Sequence, residues 1–153
     1  MLKNPEYLKD LIIIGTNLKD KNHYKAIWII EMLAESNSDL LVSYIDKICE
    51  KISDYKNESA IRGISRATYY LSISKAIKLS KTQQEKLIEV SLDRLIGNAK
   101  IVPKVYAMHT LCHYAMLQEW IKTELLIIIN KDFSHQSAGY KATAREILKK
   151  ISK

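Results

Sequence analysis

Cysteine, glycine, proline and long apolar runs are all scarce in this chain. Two cysteines, four glycines and two prolines are spread through 153 residues. So little Pro and Gly excludes a collagen-like or low-complexity chain. Cys49 and Cys112 each lie inside an apolar helical pattern, not in the spaced framework of a small disulfide-bonded secreted domain. Two buried thiols in a reducing cytoplasm are the simplest account of them; a redox role would need an exposed, electropositive thiolate. The apolar run from Leu125 to Ile129 has five residues, and none is longer, against the roughly 20 that span a bilayer. Met1 to Glu6 carries charge where a secretory leader needs an apolar core. A cytoplasmic protein with no membrane partner is therefore expected. Sustained period-two alternation between hairpin turns is missing as well, which argues against strands.

Acidic residues are the other shortfall: 24 Lys and Arg face 17 Asp and Glu, a formal net charge of +7. The imbalance is uneven. Residues 1–76 hold 11 basic and 10 acidic side chains, whereas residues 77–153 hold 13 and 7. Such a balance either solubilises the surface or favours an acidic protein, nucleic acid or anionic lipid.

What is present is helical spacing almost everywhere. Leu41, Ile45, Ile48 and Ile52 recur at three- and four-residue steps, as do Tyr140, Ala144, Ile147 and Ile151. Asn4 before Pro5 supplies a cap and a proline at the first helical position; Thr82 and Glu85 have capping-box spacing. Gly15 and Gly97 stand where a left-handed turn would stop a helix. These signals predict eight helices, near 5–14, 22–36, 39–53, 58–73, 83–96, 102–117, 119–131 and 138–152, in one all-α domain spanning 1–153. The run from Ala26 to Ile30 should be sandwiched on two sides, so that Trp28→Ala would cost roughly 3–5 kcal/mol.

The second member of each helix pair repeats. Lys25-Ala26-Ile27-Trp28, Arg62-Gly63-Ile64-Ser65, Lys104-Val105-Tyr106-Ala107 and Lys141-Ala142-Thr143-Ala144 align without gaps, their cations 37, 42 and 37 residues apart. Seven residues beyond each cation stands Met32, Tyr69, Leu111 or Leu148. That period belongs to stacked helix pairs, which cover one another's apolar stripes only when several are present.

Through Trp28-Ile29-Ile30-Glu31, Ile61 to Arg66, Lys104 to Met108 and Ser137 to Ala142, most of the chain resembles the small bacterial HEAT-like repeat proteins. The resemblance implies a short right-handed α-solenoid (an α-α superhelix) of about four HEAT-like helix pairs, with the second helices lining a concave face. Within HEAT-like proteins, the alkylpurine DNA glycosylases use tryptophan and aspartate on concave helices. Trp28 is followed here by Glu31 and Trp120 by Glu124, so no catalytic residue carries over.

Candidate binding residues for such a face are Arg62, Arg66, Tyr70, Lys104, Tyr106, His109, His113, Lys141 and Arg145. Cations among aromatic rings suit nucleic acid, where rings stack on bases and cations neutralise phosphate. The same cations also suit bonds to turn carbonyls and neighbouring carboxylates. His109 and His113 are one turn apart around Cys112, but Thr110 occupies the place of the glutamate in His-Glu-x-x-His, and no metal is expected. Phosphate-cradling glycine loops and a Gly-x-Ser-x-Gly elbow are absent, and no catalytic set or cofactor is expected. The reading that follows is a non-enzymatic scaffold that presents its concave face to a protein or peptide. The alternative is a nucleic-acid-binding HEAT-like protein related to DNA alkylation repair.

Overall fold

The computed structural model describes residues 4–152. Among them the chain is all-α: eight α-helices, two 3-10 stretches and no strand. The helices are α1 (Pro5–Thr16), α2 (His23–Ser36), α3 (Ile45–Lys51), α4 (Glu58–Ile73), α5 (Lys81–Ile96), α6 (Ile101–Ala115), α7 (Glu119–Asp132) and α8 (Ala138–Ile151). Two compact units divide the chain between Gln84 and Glu85, in the first turn of α5.

Local chemistry sets the helix ends. The Asn4 side chain accepts from the Glu6 amide at 3.0 Å, with Pro5 in the first turn, as the sequence predicts. The predicted box at Thr82 and Glu85 is displaced by two residues. Ser80 and Gln83 form it instead: the Gln83 amide donates to Ser80 Oγ at 3.1 Å and the Ser80 amide to Gln83 Oε1 at 2.8 Å. The helix expected over 39–53 begins as a 3-10 stretch, Ser38–Tyr44, before continuing as α3.

In the first unit, α2 packs against both α1 and α4, and α1 also meets α3. Two glycines permit this. A Cβ on Gly15 would stand 2.8 Å from Ile30 Cδ1, and one on Gly63 would stand 2.8 Å from Ile27 Cγ2. No glycine among the described residues has a positive φ, so Gly15 and Gly97 are not the left-handed stops their positions suggested. Gly15 lies inside α1 and serves close approach. Tyr55 ties the end of α3 back to α1: its hydroxyl donates to the Gly15 carbonyl at 2.6 Å, and its ring stacks on His23.

Trp28 departs from expectation. It is 45% exposed, because Ala26, Ile27, Ile30, Leu33 and Ala34 already fill the buried side of α2. The penalty expected for a sandwiched tryptophan does not apply to it.

The second unit has its own core. Ile88 and Leu95 of α5 join Met108 and Leu111 of α6, Leu125 and Ile129 of α7, and Tyr140, Ala144 and Ile147 of α8. α6 packs against α7 and α8. Buried Thr and Ser hydroxyls back-bond within their own helices in both units: Thr68 donates to the Ile64 carbonyl at 2.6 Å and Ser91 to that of Leu87 at 2.7 Å. Both cysteines are buried. No helix among the described residues is long and apolar enough to cross a membrane.

Candidate binding faces

In the first unit, the close α2–α4 approach at Gly63 sets the geometry of the outer face. Glu31 and Glu35 are one turn apart on α2, and Arg66 of α4 reaches both. Its Nη1 donates to Glu31 Oε1 at 3.1 Å and its Nη2 to Glu35 Oε2 at 2.7 Å. Nη2 also donates to the Tyr70 hydroxyl at 3.3 Å, and the guanidinium lies 5.0 Å from the centre of the Tyr70 ring. A planar fork with several donors suits this triple engagement. Arg66 is therefore a strut between helices, its charge met by two carboxylates. Arg62, one turn earlier, is exposed and makes no ion pair among the described residues.

Alongside this network runs a ridge that sequence reasoning missed. Tyr24, Trp28 and Met32 follow one another at four-residue steps on α2; the Tyr24 and Trp28 rings meet edge to face with centres 5.4 Å apart, and Trp28 and Met32 are exposed. The signal was in the spacing, but Trp28 sits inside an apolar run that reads as core.

In the second unit the candidate residues divide. Lys104 is only 9% exposed and sits in the first turn of α6 beside buried Pro103, so it belongs to no open face. The four aligned cations thus differ in setting: Lys25 and Arg62 are exposed, Lys141 is half-buried and Lys104 is buried. Tyr106 and His109 are half-buried neighbours with ring centres 6.3 Å apart, and His113 meets Tyr114 edge to face at 5.0 Å. Burial holds both imidazoles below their usual value; at His109 the Glu146 carboxylate opposes that shift and Lys150 adds to it. Both are therefore neutral at pH 7. The Cys112 thiol between them is pushed up by burial, the reverse of what an activated nucleophile needs. Among the described residues no group of three or more His, Cys, Asp and Glu side chains is arranged to hold a metal ion.

Lys141 and Arg145 come together over one ring. Lys141 Nζ lies 5.8 Å and the Arg145 guanidinium carbon 5.4 Å from the centre of Phe133, in the 3-10 turn that precedes α8. A lone Phe in a polar loop gave no hint of this role.

The fold and these faces describe an all-α protein whose helices pack against one another within each unit, with an aromatic face on one unit and a cationic face on the other. No protein-family model, curated protein or solved structure matches the chain.

Proposed function

We propose that the protein is a non-catalytic, cytoplasmic binding module of the HEAT-like, right-handed solenoid kind, and that it takes a protein or peptide segment on the outer face of α2 and α4. The solenoid reading is supported by the 37- to 42-residue repeat, and by second helices packing on each other within each unit, α2 on α4 and α6 on α8. The observation that carries the binding reading is the Tyr24–Trp28–Met32 ridge, exposed at Trp28 and Met32 and held beside the Arg66–Glu31–Glu35 network. Exposed Trp and Met beside half-buried Tyr and Arg on one rigid face have the composition of an interface centre. Anchoring such side chains before association reduces the ordering cost of binding. Phosphate suits this face poorly, because both carboxylates stand where Arg66 would otherwise offer its charge.

Selection of a random peptide library on the full chain tests the reading. Enriched peptides are expected to lose about tenfold or more in affinity on Trp28→Ser and to keep it on Trp120→Ser, a slightly more exposed tryptophan in the other unit. Peptides indifferent to Trp28→Ser, or no enrichment, overturn the assignment.

A further inference from the structure

We infer that the outer face of α8 is a second docking surface, one that receives an acidic helical segment of a partner protein. Lys141, Arg145 and Lys149 stand at four-residue steps along α8, and none of the three has a carboxylate partner among the described residues. The carboxylate nearest to them on the helix, Glu146, is already engaged by Lys150 at 3.2 Å. Arg66 on α4 shows what this chain does with a cation whose charge is used internally: it supplies two glutamates. To Lys141, Arg145 and Lys149 it supplies none.

The arrangement is also partly fixed in advance. Phe133 lies under both Lys141 and Arg145, which limits the freedom of two long side chains while leaving guanidinium N–H groups to engage a carboxylate. Exposed Ala138 and Ala142 on the same helix keep the surface low, so a second backbone can come close.

Spacing and chemistry point to the occupant. Four residues of α-helix rise about 6 Å, so glutamates at every fourth position of a partner helix repeat at the same interval as the three cations. A single nucleic-acid strand held by base stacking would need open rings. The ring at the centre of this surface is already covered by cations.

The test uses the full chain and fluorescence anisotropy with three labelled probes. These are a helical peptide with glutamate at every fourth position, a shuffled peptide of the same composition, and an oligothymidylate of matching charge. The ordered peptide is expected to bind best, more weakly as salt rises. Arg145→Glu with Lys149→Glu should weaken it about tenfold or more, and Arg145→Gln with Lys149→Gln, a milder pair, about threefold or more. The same charge reversal at Lys9 and Lys19, exposed in the first unit, should change it less than about twofold. Equal weakening by the Lys9 and Lys19 pair would reduce the effect to net charge and overturn the inference. So would equal binding of the shuffled peptide, tighter binding of the oligothymidylate, or no binding at low salt. Peptides selected through Trp28 report on the other unit, so either surface can fail without the other.

Discussion

Arg66 and Arg145 occupy matching places in the repeated segments of α4 and α8, four residues after Arg62 and Lys141, yet they do different work. Arg66 is held between Glu31 and Glu35 of α2; Arg145 lies over Phe133 and faces solvent without a carboxylate. The reason lies on the neighbouring second helix. In the gapless alignment the positions of Glu31 and Glu35 fall on Thr110 and Tyr114 of α6, and both of those are buried. One unit therefore spends its arginine on holding helices together, while the other leaves it available. A cation in a repeat has no fixed role of its own. Its neighbour decides.

The strongest way to break this comparison is to disturb the approach that delivers Glu31 to Arg66. Gly63→Ala places a Cβ 2.8 Å from the branched Cγ2 of Ile27 and 3.1 Å from Glu31 Oε2. Overpacking should cost about 1–3 kcal/mol, more than alanine's better helix propensity returns. Urea denaturation measures it, and an unchanged or more stable variant would mean the spacing is not needed.

Next comes the arginine pair itself. Arg66→Ala leaves two glutamates one turn apart without their shared cation and should cost about 1–2 kcal/mol, the partial exposure of the network keeping the figure low. Arg145→Ala should cost less than about 0.5 kcal/mol. Equal losses in the two melting curves would erase the distinction drawn between the units.

A smaller effect of opposite sign is expected in the second core. Tyr140 is fully buried and its hydroxyl has no hydrogen-bond partner among the described residues; burial, with Asp132 nearby, pushes that phenol up to about 12. Removing the group as Tyr140→Phe should be neutral or stabilise the fold by up to about 1 kcal/mol. A clear loss of stability would reveal a bond that this geometry lacks.

The smallest effect is a dependence on pH. His109 and His113 are held below their usual value by burial, so the unfolded chain takes up protons before the folded one does. Stability should be complete above the unfolded value of about 6.5 and fall as pH drops through it toward the lowered folded values. The urea midpoint should thus be lower at acid pH than at neutral pH. Replacing both rings by Gln should flatten that part of the profile; an unaltered slope would place its origin elsewhere.

Much of the secondary structure was legible because helical periodicity and caps act over a few residues. Eight helices were expected and eight are found among the described residues, with Asn4–Pro5 opening the first. The capping box was misread by two residues because Ser80–Gln83 and Thr82–Glu85 have the same spacing, and only the start of α5 chooses between them. The candidate faces were less legible. Arg66 and Tyr70 could be placed on one side of a helix, but the carboxylates that claim Arg66 come from 31 and 35 residues earlier. Trp28 read as core because apolar runs look alike whichever side is covered.

The sequence by itself determined that this chain is helical, where most helices lie, and that two cysteines would be buried, since each follows from local spacing and side-chain polarity. Tertiary structure alone decided that Trp28 faces outward, that Lys104 is covered, that Arg66 is matched by two glutamates and that Arg145 is not. Those outcomes depend on which helix lies beside which, and at what distance. The two glycines that let α1 and α4 close on α2 fix that distance for the first unit, and no local pattern records it.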